Sequence, residues 1–284
     1  MENNTPLQKY YRQPSIYIGL PSKGKYYSDS DFSAPQSGEI PVFPMTAKDE
    51  IAFKTPDGLV NGESTVSVIA SCLPNIKDPW QLVNYDLDAV LIALRIATYG
   101  ETMDITATVP GTGEQVTHTV NLPSVLEAIK TVEIKDSFTT KSGFVVRVSP
   151  LRYREINKMQ QDTFEQQKIV ASVQSSALSQ DEKNQKFTDC FKRLTQLNFN
   201  VLENAVTEIK TPAGDTVTDK EQIKAFINNA DAKTIKEIQD GVNSTRSQAA
   251  IKPMKIQSTE EQIKKGAPVN YELPITFDNA NFFV

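Results

Sequence analysis

One histidine, His118, is present in 284 residues. A Ser-His-Asp or Cys-His site would have to be built on it, and its surroundings, QVTHTV, carry no nucleophile motif. Cysteine is nearly as scarce. Cys72 and Cys190 form no CxxC, and there is no HExxH or His/Cys cluster, so no metal site is assigned. Both cysteines fall on helical stripes of apolar residues, which reads as buried free thiols in a reducing cytoplasm. Gly111-Thr112-Gly113 lacks the Lys-Ser/Thr of a P-loop, and no GxGxxG opens a helix. Lys and Arg number 30 against 35 Asp and Glu, a net charge of −5, so there is no basic surface of the kind nucleic acid requires. No apolar run approaches the roughly 18 residues of a membrane span. The opening MENNTPLQKYYRQPS lacks the apolar core of a signal peptide. Asp86 and Asp88 read as helix-start residues rather than an acid/base pair. No catalytic residue, metal or cofactor is assigned, and the expectation is a protein that is not an enzyme and works by binding.

What is present is ample apolar residue for cores, 39% of the chain, at a length suited to two domains. Residues 1–40 read as an extended arm, with Tyr10, Tyr11, Tyr17, Tyr26 and Tyr27 set among prolines and glycines. Tyrosine suits an interface anchor, so these five are candidate partner-binding residues. Residues 41–135 read as a first α+β unit. Ile40–Phe43 is a strand, Thr46 caps a helix, and Pro56-Asp57-Gly58 is a turn. Asn61 caps a second helix with Val66, Ile69, Ala70 and Leu73 on one face. Asp86 caps a third helix, Leu87–Tyr99, apolar on nearly every face and therefore buried, with Arg95 its one basic residue. A β-hairpin follows over 104–122. Ile105, Ala107, Val116, His118 and Val120 share one face, predicted to pack on the buried helix, and threonines occupy the other. On that face a hydrogen-bonded structural role for His118 outweighs a catalytic one.

Residues 123–143 read as a linker, and 136–284 as a second α+β unit with a long helical hairpin, 152–208, inserted. Ser179 and Glu182 fit a capping box between its helices. Phe187, Cys190, Phe191, Leu194, Leu197, Val201, Leu202, Ala205 and Ile209 mark one stripe; Ile156, Met159, Phe164, Val170 and Val173 mark the other. Lys54–Gly58 and Lys210–Gly214 both read KTPxG, each followed by a spacer, two helices and a hairpin. The fold class expected is α+β, with two related units. The final stretch places Phe277, Phe282 and Phe283 near the last residue. Such side chains either dock on the chain's own core or, as Phe282 and Phe283 are read here, anchor a partner.

Three stretches carry a resemblance: LPSKGKYY (20–27), PVFPMTAKDEIAFKTPDGLVNGESTVSVIASCL (41–73) and DLDAVLIALRIATYGETMDITATVPGTGEQVTHTVNL (86–122). Together they resemble the baseplate hub proteins of T-even-like contractile-tail bacteriophages, most specifically in LPSxG, LxALRxxTYG and the hairpin after it. The resemblance is strong over roughly 15–125, weak over the helical hairpin and moderate beyond it. Relatives of this type often carry CPxCG, a zinc-knuckle-like turn, at the hairpin tip. Here Val109–Glu114 reads VPGTGE, so no metal is carried over. The resemblance implies a structural component of the virion's tail baseplate, assembled in the host cytoplasm. Its partners would be other baseplate and tail proteins, with self-association in a symmetric assembly a further contact. The alternative is an assembly chaperone absent from the mature virion.

Overall fold

The computed structural model describes residues 6–54, 62–175 and 179–275. The chain is an α+β protein that divides into two compact units. One takes the chain up to Val132 together with the segment from Ala249 onward; the other is Glu133–Gln248. The expected second unit, 136–284, is therefore cut short, because its last segment folds with the first.

In the first unit, β1 (Ile16–Ile18) runs antiparallel to β2 (Ile40–Val42). The expected arm is thus partly built into the body. Phe32 bridges to Ile76, and the Ser33 N–H donates to the Asn75 carbonyl at 2.8 Å. Helix α1 (Ala47–Phe53) opens on the predicted cap. Thr46 Oγ1 accepts from the Asp49 N–H, and Asp49 Oδ2 accepts from the Thr46 N–H at 2.8 Å. Helix α2 (Glu63–Cys72) buries Thr65, Val68, Ile69 and Cys72, while the predicted Ala70 faces out. The Pro56–Gly58 turn and Asn61 lie outside the described residues.

Helix α3 (Asn84–Tyr99) has eleven of its sixteen residues buried, which makes it the interior of this unit. Full burial of Ile92 or Leu94 contributes roughly 1.5–3 kcal/mol each. Asp86 does not cap this helix as expected; it stands in the first turn after Val83, which offers no side-chain cap. The carboxylate is fully buried and accepts from the Ser22 N–H at 2.8 Å, from the Ser22 hydroxyl and from the Tyr27 hydroxyl at 2.6 Å. Tyr27 Oη in turn accepts from the Val83 N–H at 3.0 Å. A capping box is normally closed by the side chain three residues into the helix reaching back to the cap N–H. Here Tyr27 relays that contact from Asp86 to Val83. Burial pushes the Asp86 carboxyl up, opposed by the hydrogen bonds from Ser22 and Tyr27. Burial and Asp86 together keep the Tyr27 phenol protonated. Arg95 is buried, its guanidinium 4.6 Å from the Tyr99 ring centroid.

Strands β3 (Thr102–Thr108) and β4 (Gln115–Asn121) form the predicted ribbon, with Met103 opposite Val120, Ile105 opposite His118 and Ala107 opposite Val116. On the outer face the Thr106 and Thr117 hydroxyls are 2.8 Å apart, and Thr119 donates to Asp104 at 2.6 Å. Helix α4 (Leu122–Lys130) begins where a linker was expected. Asn121 caps it, and Leu122, Leu126 and Ile129 face the core.

In the second unit, β5 (Ser137–Thr139) and β6 (Val145–Val148) lead into the helical hairpin, α5 (Tyr153–Ser175) and α6 (Gln180–Ala205). The Ser179–Glu182 capping box is present. Helix α6 stops at Ala205, short of the expected 208, because β7 (Val206–Lys210) joins the sheet beside β6. With β8 (Thr216–Val217) the order is β5-β6-β7-β8, all antiparallel. The second KTPxG stretch is the β7–β8 turn. Helices α7 (Lys220–Asn229) and α8 (Ala232–Arg246) complete a core of Val146, Val148, Leu202, Ile209, Ile223, Ile227, Ile235, Ile238 and Val242.

The returning segment explains what holds the threonine ribbon. Strands β9 (Met254–Gln257) and β10 (Asn270–Leu273) pair antiparallel, joined through the short helix α9 (Glu260–Lys264). The ribbon's inner face meets this second ribbon, rather than α3 alone as expected. His118 Nε2 lies 3.1 Å from the Tyr271 hydroxyl, with the rings edge to face. At the tip, Lys265 Nζ is 3.2 Å from Glu114 Oε2. The backbones at Gly111 and Gly266 touch. A Cβ on Gly111 would stand 2.4 Å from the Gly266 carbonyl oxygen, and Gly111 has φ of +80°. A glycine-to-glycine contact and an ion pair thus hold the ribbon's tip.

Four substitutions have defined consequences for stability. Gly111→Ala should lower it by roughly 2 kcal/mol or more, from left-handed strain plus the clash. Gly113→Ala, at φ +73° but in open space, should cost only the strain, about 1 kcal/mol, in parallel thermal melts. Tyr27→Phe removes a hydrogen bond to a carboxylate and orphans the Val83 N–H, and should cost about 2 kcal/mol in urea titration. Asp88 has no hydrogen-bond or ion-pair partner among the described residues, and burial pushes its carboxyl up to about 6. Raised above its unfolded value, this group is without penalty below about pH 4 and destabilises increasingly as pH rises through 6. Asp88→Asn should therefore stabilise the fold at pH 7, by at most about 2–3 kcal/mol, with the gain gone at pH 4. A gain unchanged at pH 4 would show that the charge is not its source.

Candidate docking surface

The described residues of the first unit begin with a turn of 3-10 helix, Gln8–Tyr10, followed by an extended Tyr11. An exposed segment with so little regular structure would ordinarily be poorly held. Arg12 holds it. Its Nη1 donates to the Pro44 carbonyl at 2.9 Å and to Asp49 Oδ2 at 3.1 Å. Its Nη2 donates to the Ser71 carbonyl at 2.8 Å and to Ser71 Oγ at 2.9 Å. The guanidinium also lies 5.9 Å from the Phe43 ring centroid. One planar fork thus ties the chain to the start of α1, the end of α2 and the end of β2, a use for which Lys would be a poor substitute. Three residues on, the Ser15 N–H donates to the Val42 carbonyl at 2.9 Å, and β1 begins.

Asp49 serves both the Thr46 capping box and Arg12. Burial works to raise its carboxyl, but the Thr46 N–H and hydroxyl, Ser71 and the Arg12 charge together hold it below the ordinary range. Cys72 lies beneath, its Sγ 3.4 Å from Arg12 Nη1. Burial and the Asp49 charge push that thiol up to about 11, so it stays protonated.

The side chains around this clamp point outward. Tyr10 is 74% exposed, Tyr11 61%, Tyr17 59% and Leu7 67%. Lys9 Nζ sits 5.0 Å from the Tyr10 ring centroid. On β1 the alternation turns Ile18 into the core and Tyr17 out, as strand geometry demands. Leu7, Tyr10 and Tyr11 adjoin one another in the chain, and adjoining exposed apolar side chains are the ordinary mark of an interaction site. The five predicted tyrosines therefore separate. Tyr10, Tyr11 and Tyr17 form the outward group. Tyr26 and Tyr27 do not belong to it: Tyr26 lies 6.2 Å, ring to ring, from the buried Tyr85, and Tyr27 is the relay to Asp86. Lys23 and Gly24, at φ of +55° and +79°, fold that loop back, so both rings return to the body. Phe282 and Phe283 lie outside the described residues. Arg12 went unread in the sequence. Its partners are 32 to 60 residues away, and no local pattern joins them.

The second unit carries a further apolar surface on its helical hairpin. Two helices can bury only a narrow seam between them. Val173 and Cys190 are in that seam, and Phe187, Leu194 and Leu197 lie at its sides, half-buried. Phe164 and Phe191, both predicted for the packed stripes, are exposed, as is Ile169. Phe191 borders a shallow groove with Phe199, Thr195 and Asn228.

Among the described residues no helix is long and apolar enough to cross a membrane. Neither the curated proteins nor the solved structures contain a match to this chain. The family model for the T4 bacteriophage base plate protein matches residues 20–267. That span takes in the Ser22–Tyr27 loop, the buried α3, the threonine ribbon and the helical hairpin, and it shows that the chain belongs to the T4 bacteriophage base plate protein family.

Proposed function

We propose that this chain is a structural component of the baseplate hub, and that it acts by binding neighbouring baseplate proteins during assembly, without catalysis. The observation that carries this reading is the clamped aromatic surface: Tyr10, Tyr11 and Tyr17 are exposed on a segment that Arg12 already holds in place. Ordering a flexible segment on binding costs affinity, and a preorganised one avoids most of that cost. Tyrosine and arginine are also the residue types that concentrate binding energy at interface centres. The exposed Phe164, Ile169 and Phe191 supply a second contact surface on the other unit. Both surfaces suit the binding of other phage proteins that membership of a baseplate family entails. A chaperone that leaves before maturity would use the same kind of surface.

Quantitative mass spectrometry of purified virions beside infected-cell lysate separates the two. A fixed low ratio to known baseplate proteins is expected for a hub component. Abundance in lysate with absence from virions would assign the chain to assembly alone. For the surface itself, replacing Tyr10, Tyr11 and Tyr17 together by Ser should reduce incorporation into baseplates more than tenfold, since each anchor contributes about 1 kcal/mol or more. The melting temperature of the isolated chain should be unchanged, because none of the three is buried. Normal incorporation of that variant would remove the arm from the interface.

A further inference from the structure

The helical hairpin of the second unit is long for what it buries. Only the end of α6, through Phe199, Leu202 and Ala205, reaches the core of that unit. From Lys158 to Thr195, the buried side chains among the described residues are Gln166, Val173 and Cys190. Helices draw most of their stability from a packed apolar face. Two helices with so small a seam leave much of theirs uncovered. Phe191, near the middle of α6, is 68% exposed, and Phe164 and Ile169 are exposed on α5. Phe164 lies eleven residues before the end of α5 and Phe191 eleven residues after the start of α6, so the two stand level in the hairpin.

The groove beside Phe191 holds about 620 Å³. On α6 it is lined by Thr188, Phe191, Lys192, Thr195, Gln196 and Phe199. These fall into two overlapping sets spaced i, i+3, i+4, i+7: Thr188-Phe191-Lys192-Thr195 and Lys192-Thr195-Gln196-Phe199. Four residues at that spacing form the hole that receives one knob from a facing helix. The polar lining is already committed. The Thr188 and Thr195 hydroxyls donate to the Asn184 and Phe191 carbonyls at 2.9 and 2.8 Å, and Gln196 Nε2 donates to Asn200 Oδ1 at 3.0 Å. Asn228, from α7, donates to Glu203 Oε1 at 2.7 Å. The groove therefore selects by shape and apolar contact.

A second α6 has the shape required. Run antiparallel about a two-fold axis near Arg193, Phe191 of each copy meets the hole ending at Phe199, and Thr195 meets the hole ending at Thr188. Knob and hole lie on one surface, as a self-complementary two-fold contact demands. From Lys158 to Arg193, six basic side chains are interleaved with five acidic ones, so two hairpins meet with little net repulsion. The 23 residues of α5 make the hairpin about 34 Å long, and two helices are about 20 Å wide. That face offers roughly 700 Å² per copy, near the roughly 800 Å² per partner of a stable complex.

We propose that the helical hairpin is a self-association surface. Helix α6 packs antiparallel on α6 of a second copy, Phe191 of each seated among Lys192, Thr195, Gln196 and Phe199 of the other, and α5 joins through Phe164 to complete a four-helix bundle. The pairing gives an occupant to the second contact surface proposed above and rests on that reading. It is measured on the free chain, so a monomeric result would leave the hub assignment, which is read from virions, standing.

Sedimentation equilibrium of the full chain across micromolar concentrations should show a monomer passing to a dimer. Phe191→Ser should weaken association by about tenfold or more. Thr195→Glu, which fills a hole and removes no aromatic anchor, should do the same. A chain monomeric throughout would leave the groove to another protein's helix, and a dimer indifferent to both substitutions would be built elsewhere; either overturns the pairing. The register is read by placing photo-reactive benzoylphenylalanine at position 191 and irradiating a mixture of isotope-labelled and unlabelled chains. Mixed-label cross-links to residues 192–199 are expected. Cross-links confined to one chain, or joining two chains at other positions, overturn the pairing equally.

Discussion

A helix that is apolar on almost every side can exist in water only if other chain surrounds it, and α3 imposes that condition on the whole first unit. The loop carrying Ser22 and Tyr27 and the returning segment after Ala249 belong to the unit built around it. Enclosure creates a second problem, since the first turn of a buried helix still needs partners for its N–H groups. Val83 has no capping side chain, and water is excluded. Tyr27, 56 residues upstream, provides the acceptor, and Asp86 fixes the Tyr27 hydroxyl in turn. The LPSxG stretch is thus read best as the lid on a buried helix, and the tyrosines that end it are structural for the same reason.

The same economy of groups couples the exposed aromatic segment to the body. The Asp49 carboxylate closes the α1 capping box and receives Arg12, so the cap that starts a helix also anchors the aromatic segment. Cys72, at the end of α2, sits under the same guanidinium. The exposed tyrosines are consequently an extension of the folded unit. The ribbons follow a comparable logic. A two-stranded ribbon is marginal on its own, and the threonine-rich one is held at its middle by His118 and Tyr271 and at its tip by Glu114 and the paired glycines.

Much of this was legible in the residues. The Thr46 and Ser179 capping boxes, the all-round apolar α3, the threonine ribbon with His118 on its inner face, and the helical hairpin all rest on short-range patterns. Where the reading failed, long-range packing overrode a local signal. Asp86 has the look of a cap and became the acceptor for a loop 60 residues away. Helix α4 is a different case: Leu122, Val125, Leu126 and Ile129 do have helical spacing behind the Asn121 cap, a local signal overlooked where a linker was expected. Phe164 and Phe191 sit on strong helical stripes, yet two helices cannot cover stripes so wide. The tyrosines differ for a reason no composition shows: the left-handed Lys23–Gly24 turn directs two inward, while Arg12 holds Tyr10 and Tyr11 on the outside.

By itself the sequence determined the α+β class and the kinds of local element, because these depend on neighbours within a few residues and on composition. Only the tertiary structure decided which aromatics are surface and which are core, what clamps the arm, and that the last ribbon returns to the first unit. Each of those outcomes is a contact between residues tens to more than a hundred positions apart, and such pairings leave no periodic trace along the chain.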